Sequence, residues 1–460
     1  MALLAVSLIL SATAAIAIPP SPGVCQPLAS LAFKYPPAVA PGLSAHVAYT
    51  NLASPRGMRF DSSGNLLVVE RQNRISALTF RNDSTCVGWE KRVVLTNTSL
   101  NHGIEIGPGN GIRQYLYASS PENMFRWEYD PATATVVGSP VTIVWNMTNV
   151  GAPSGDHVTR TPLLEPPING VSKYIIISRG SAGNGDTAAA NVTTGTAQIR
   201  RFSLENIPSG RGWAWADGEV LGWGNRNGVA MAFSKDAEGI WEAENSSDNL
   251  QWQGIDVHQD NPAEELNLIP LKNASSIPVA QKFYGYPNCF TVWNSSSVPK
   301  NGTGPQFNFD TGEQFSVLNP PANPTDAWCA QPANNVPPVL SFQAHSAPLD
   351  LVFYNNASGS SPEGLAQWEG DAFVSFHGSW NRDAATGYKV VRIPFKDDGS
   401  GPIAVPNSKT GYESIVGAPD LSKCASKCIR PVGLVFDQSG RLIVSSDSSG
   451  EVFVIQKSGN

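Results

Sequence analysis

The stretch "PRGMRFDSSGNLLVVE" begins at residue 55, and "RPVGLVFDQSGRLIVSS" begins at residue 430, near the other end of the 460-residue chain. Each reads as a short apolar strand, a turn built from Asp, Ser and Gly, and a second apolar strand, which is the pattern of a β-hairpin. A hairpin cannot bury both faces alone, so hairpin units that recur along one chain stack on each other. Looser copies stand between the two clear ones: "HGIEIGPGNGIRQYLYAS" at 102, "RTPLLEPPINGVSKYIIIS" at 160, "NGVAMAFSKDAEGIWEAE" at 227, and "APLDLVFYNNAS" with "WEGDAFVSF" from 347. Six such units predict an all-β chain, a six-bladed β-propeller with long inserted loops. The ring spans residues 43–460, and the residues before 55 supply the outer strand that closes the last blade. The wide gap between the units at 227 and 347 places a long insertion between 250 and 340, where "NPPANPTDAWCAQPANNVPP" reads as Pro- and Asn-rich loop. A row of sandwich domains would need linkers, and none is visible. With 42 Gly, 36 Pro, 15% charged residues and no long 3.6-residue periodicity, helix is a minor component.

The first residues, "MALLAVSLILSATAAIA", are an apolar run ending in small residues, which predicts a signal peptide over 1–17, without the usual positive start, and then an N-terminal segment over 18–42. Nine N-x-S/T sequons, at Asn82, Asn97, Asn146, Asn191, Asn245, Asn273, Asn294, Asn301 and Asn356, agree with secretion. Six cysteines are an even number for an oxidising compartment. Proximity along the chain suggests Cys25 with Cys86, Cys289 with Cys329 and Cys424 with Cys428, although six cysteines permit fifteen pairings. A net charge of −7, with no basic run, argues against nucleic acid or an anionic membrane as partner and leaves a small molecule or another protein.

In a propeller the first strand of each unit lines the central channel and the second returns, so residues just before the first and just after the second gather at one mouth. The leading positions are Arg56, Asn101, His102, His157, Arg226, Asn227, His345 and Arg430. The trailing ones are Glu70, Arg71, Arg179, Glu244, Asn245, His377, Arg382 and Asp447. Four of the six histidines fall in these rings; His46 and His258 do not. A histidine or arginine in a channel wall can simply satisfy backbone groups. So many cations in one cleft of an acidic protein, however, call for carboxylates or a multiply charged anion between them. No G-x-G-x-x-G after a strand, Walker loop or H-E-x-x-H occurs, which removes dinucleotide, P-loop and zincin chemistry.

Several of these residues sit in longer phrases: "SGDHVTRTPLL", "GNRNGVAMAF", "EAENSSDN", "YGYPNCF", "FHGSWNRDAATGYKVVRIPF" and "IRPVGLVFD". Over residues 43 to 457 the chain resembles the soluble quinoprotein glucose/sorbosone dehydrogenases, in particular their fungal branch of pyranose dehydrogenases dependent on pyrroloquinoline quinone (PQQ). The resemblance implies that a pyranose is oxidised at C1 to a lactone, with hydride passing to calcium-bound PQQ. By position, His157 resembles the base that takes the proton of the anomeric hydroxyl, and Arg226, with Asn227 beside it, the cation that polarises the quinone. Arg430 and Arg382 resemble basic residues set against the PQQ carboxylates or quinone oxygens, and His102 and His377 are implied to line the same pocket. "ENSSDN" resembles the loop whose backbone carbonyls hold calcium, here Ser246 and Ser247, although relatives carry a Gly first. Some relatives bear a cytochrome domain and a cellulose-binding module. Here no cytochrome-sized segment precedes 43 and no Cys-rich module follows 457, so a separate acceptor is implied: a cytochrome, another redox protein or a small quinone.

Two other readings stay open at this point. A calcium-dependent propeller lactonase would need carboxylates and amides around a central metal, and a secreted propeller without catalysis would bind protein or glycan on its face.

Overall fold

The structure, a computed structural model, describes residues 24–148, 157–297, 309–319, 322–355 and 361–459. The signal-peptide stretch 1–17 and the sequons at Asn301 and Asn356 lie outside these residues. Six antiparallel-based sheets are the blades of a propeller, and their innermost strands are Pro55–Phe60, Ile104–Pro108, Pro162–Leu164, Gly228–Phe233, Pro348–Phe353 and Pro431–Phe436. Each lies within one of the six repeated phrases.

The two clearest copies fold alike for a local reason. Asp61 Oδ1 accepts the backbone N–H of Ser63 (2.9 Å) and Asn65 (2.8 Å), and Asp437 Oδ1 accepts those of Ser439 (3.0 Å) and Arg441 (2.9 Å). The carboxylate thus ties the turn to itself, and the glycine inside it takes the left-handed conformation that a side chain resists, φ 83° at Gly64 and 77° at Gly440. Strand Leu66–Glu70 then returns against Pro55–Phe60, and Leu442–Ser446 against Pro431–Phe436.

These second strands are continuously apolar because both faces are covered. Leu67 and Val69 pack towards the second blade with Ile104, Leu116 and Trp127, whereas Leu66 and Val68 pack towards the sixth with Ile443 and Val452. The same division recurs around the ring, giving six cores, each between two neighbouring blades. A fully buried Leu or Val contributes roughly 1.5–3 kcal/mol, so the stack of blades is the main source of cohesion.

Closure follows the expected plan: Leu43–Tyr49 pairs with Glu451–Lys457, Leu43 opposite Lys457, as the outer strand of the last blade. The described part of the N-terminal segment also joins the sheets. Val24–Pro27 adds an edge strand to the first blade, and Ala38–Val39 pairs with Glu413–Gly417 of the fifth. All three expected disulfides are present and no cysteine is free.

The insertion differs from the expectation. Glu264–Pro270 is the third strand of the fourth blade and Leu340–Phe342 its fourth, so the long excursion runs between them rather than from 250. Nor is it plain loop. Cys289–Thr291 pairs with Gln314–Ser316, the short helix Asp326–Cys329 follows, and Tyr286, Phe290, Val292 and Phe315 form a separate apolar core with Leu250 and Trp252. Among the described residues no helix is long and apolar enough to cross a membrane.

Candidate active site

At the channel mouth where the innermost strands begin, four of those strands slip register against their partners, between Pro55 and Met58, Gly228 and Ala230, Pro348 and Asp350, and Pro431 and Leu434. A bulge at this end bends the strand and re-aims the side chains before it. The result is a cavity of about 330 Å³. Its wall includes Arg56, Arg71, Arg226 and Arg430, the imidazoles of His157, His345 and His377, Asn227, Asn245 and Ser246, the carboxylates Asp248 and Glu264, and Trp380.

His157 is held by its neighbours in one tautomer. The Ser181 hydroxyl donates to the Gly183 carbonyl (2.7 Å), so its oxygen accepts from His157 Nδ1–H (2.9 Å) and leaves Nε2 as a bare lone pair. Burial, reinforced by the Arg226 charge, pushes the imidazole down to about 3, and the ring is neutral at ordinary pH. Two further residues fix its place. The fully buried Arg160 clasps the carbonyls of His157, Thr159 (2.9 Å), Pro121 (3.0 Å) and Met147 (3.1 Å). At Gly180 a Cβ would lie 2.6 Å from His157 Cβ and 2.7 Å from Asn227 Oδ1, so only glycine lets these two approach.

Arg226, 3% exposed, donates to the carbonyls of Asn245 (3.0 Å) and Ser246 (2.5 Å), to Asn184 Oδ1 (2.8 Å) and to Asp248 (3.2 Å). On the opposite side Asp447 bridges Arg56 (2.7 Å) and His377 Nε2 (2.9 Å). Burial would raise Asp447, but His377 and Arg56 outweigh it and hold the carboxylate well below its usual range; burial pushes His377 down to about 4. Arg71 and Arg430 differ from these pairs: among the described residues neither has a carboxylate partner. Arg430 rests on the His377 carbonyl (3.1 Å), the Gly378 carbonyl (3.3 Å) and the Tyr388 ring.

The sequence-derived residues therefore divide. His157, Arg226, Asn227, Ser246, His377 and Arg430 share the cavity. Ser247 is buried beside Ser246 but is not part of the wall. His102 is buried, outside the wall, its Nδ1 without a partner among the described residues, and burial together with Arg56, Arg59 and Arg71 holds it well below 6.5. Arg382 also lies outside the wall, because Asp260, in the connection that leads into Glu264–Pro270, takes its guanidinium at 2.8 Å. Sequence reasoning passed over Ser181, Arg160, Asp248, Glu264 and Trp380. Arg160, Asp248 and Trp380 stand in phrases already singled out, whereas Ser181 and Glu264 carry no signal beyond proximity to one.

The donors suit a planar, multiply charged anion. Two guanidiniums lack a carboxylate, and a guanidinium meets a carboxylate through two parallel N–H donors. Calcium has weaker provision, since the Ser246 carbonyl that would face it is bonded to Arg226. Among the described residues no group of three or more His, Cys, Asp or Glu is arranged to hold a metal.

Fold and cavity together define a six-bladed propeller with a cationic site on its axis. The chain belongs to the TrAA12-like family, whose model matches residues 37–458. It is 37% identical over 436 residues to a PQQ-dependent sugar dehydrogenase of Hypocrea jecorina, covering 93% of this chain and 91% of that one. It is 36% identical to a PQQ-dependent pyranose dehydrogenase of Coprinopsis cinerea, covering 95% of this chain but 56% of that protein. Among solved structures, the iodide form of the Trichoderma reesei carbohydrate-active enzyme of family AA12 superposes with a TM-score of 0.79 at 37% identity, covering 93% of this chain and 100% of that one. The holo PQQ domain of the Coprinopsis cinerea pyranose dehydrogenase gives 0.76 at 35% identity, covering 92% and 97%.

Proposed function

We propose that this protein is a secreted PQQ-dependent sugar dehydrogenase that oxidises a pyranose at C1 to the lactone and hands the electrons to a separate acceptor. The observation that carries the reading is the bare Nε2 of a neutral histidine in a cavity walled by guanidiniums, two of them without a carboxylate partner among the described residues. The similarity to PQQ-dependent dehydrogenases along nearly the whole chain supports it.

PQQ, when bound, supplies an electrophilic quinone carbon that accepts hydride. Arg430 and Arg71 would hold its carboxylates, and Arg226 would supply the fixed positive charge that stabilises electron density gained by the quinone. His157 Nε2 takes the proton of the anomeric hydroxyl as C1–H leaves as hydride, and Ser181 keeps the ring from turning as Nδ1–H gains charge. Trp380, 72% exposed at the mouth, offers a flat face to the sugar. The Ser246–Ser247 loop would hold calcium, although the Ser246 carbonyl already accepts from Arg226.

Titration of purified apoprotein with PQQ, with and without calcium, followed by dye reduction on addition of an aldopyranose, tests the proposal. A tight complex and sugar-dependent reduction are expected. Equal activity without PQQ would overturn it.

A further inference from the structure

The loop between the fifth and sixth blades reads "APDLSKCASKCIR" over 418–430, and the Cys424–Cys428 disulfide staples it. With residues of the N-terminal segment it forms a second hollow of about 190 Å³. Tyr35, Pro36 and Pro419 give this hollow a stiff apolar floor, and Lys34, Lys423 and Lys427 stand around it. Asp420 is the one carboxylate in its wall, paired with Lys423 at 3.2 Å, which leaves the charges of Lys34 and Lys427 uncompensated within the wall. This is a local excess of positive charge on a protein whose net charge is −7.

The hollow adjoins the candidate active site by one covalent route and by one chain of non-covalent contacts. Cys428 is two residues from Arg430, at most about 7 Å of chain, and Arg430 is in the cavity wall. Ala418 N–H donates to the Tyr388 carbonyl (2.9 Å), and the Tyr388 ring lies under the Arg430 guanidinium. A small, rigid apolar patch ringed by charge is the form of surface that brief redox encounters use, with steering by charge and little buried area.

We propose that this lysine-ringed hollow is the docking surface for an acidic haem protein that collects electrons from the reduced cofactor; the inference rests on the function proposed above. For each sugar oxidised, two ferric haems each take one electron and become ferrous, and two protons pass to water.

Horse cytochrome c and the same protein with its lysines succinylated present one haem behind opposite surface charges. With sugar, PQQ and calcium at low salt, the succinylated form should be reduced faster than the unmodified one, and added salt should slow it. Lys423→Glu with Lys427→Glu should slow that reduction about tenfold or more while sugar-dependent reduction of 1,4-benzoquinone stays unchanged, which also reports that the variant is folded. Equal rates for wild type and variant on succinylated cytochrome, or faster reduction of the unmodified cytochrome, would overturn the proposal. Absence of benzoquinone reduction in the wild type would instead refute the quinoprotein reading itself.

Discussion

In the proposed reaction His157 would serve as the base, because Ser181 accepts Nδ1–H and burial, reinforced by the Arg226 charge, keeps the ring neutral with Nε2 free of a proton. Replacing it by Gln keeps the size and removes the base, so kcat should fall about a hundredfold or more while PQQ still binds. Unchanged turnover would move the base to another residue. Protonation of His157 abolishes its function, so rate is lost as pH falls through its pKa. Carboxylates of a bound cofactor oppose Arg226, but burial is the larger cause and remains. The acid limb of kcat/KM should therefore lie below the ordinary histidine value of 6.5, and a limb at or above that value would contradict this environment. Asn245 gives a further prediction. Its Nδ2 donates to the carbonyls of Pro348 (2.6 Å) and Asn227 (3.3 Å) and the residue lines the cavity, so its sequon should carry no glycan. Peptide mapping after deglycosylation in heavy-oxygen water reads this directly, and high occupancy in active protein would refute it. The position of a residue in a repeat was legible for His157, Arg226 and Arg430. It failed for Arg382 because Asp260, its partner, is 122 residues away along the chain, and sequence distance says nothing of such a contact.

At the level of strands and turns, the repeated hairpin was readable because its physics is local: an Asp that accepts two backbone N–H groups, a glycine in the left-handed region, and apolar strands covered on both faces. The inserted segment was harder to read. Its small core of Tyr286, Phe290 and Phe315 comes from short stretches set among Pro and Asn. The strand before it, the third of the fourth blade, buries the polar groups Glu264, Glu265 and Asn267, so "EELN" lacks the apolar signature of the other strands. Leu434, fully buried between the fifth and sixth blades, provides a test of the stacking account. Leu434→Ala should cost about 2–5 kcal/mol, seen as a lower denaturation midpoint at unchanged slope. A cost under about 0.5 kcal/mol, the range of ordinary surface changes, would mean that this interface is not a tight core.

Over the whole molecule, buried ionisable groups set opposing demands. His102, His157 and His377 are held below 6.5, so the unfolded chain binds protons that the folded one refuses, and stability is lost as pH falls from 6.5 towards their folded values. Burial pushes Glu242 and Glu265 above 4.5, so they must surrender protons on unfolding, and stability is lost as pH rises from 4.5. Between these two values the contributions offset each other. The apoprotein should be most stable between about pH 4.5 and 6.5, with midpoints falling on both sides. A midpoint that climbs steadily to pH 8 would contradict the assignment of neutral buried glutamates. The ring itself was legible end to end, since the two outermost repeats belong to neighbouring blades closed by Leu43–Tyr49. The central claim concerns what the axial cavity binds, and isothermal titration of the purified apoprotein with PQQ tests it most directly. The account predicts saturable one-to-one binding, weakened about tenfold or more by Arg430→Ala, because a charge-assisted pair to a carboxylate contributes roughly 1.5–3 kcal/mol. No heat of binding, or identical affinity in the Arg430→Ala protein, would contradict it.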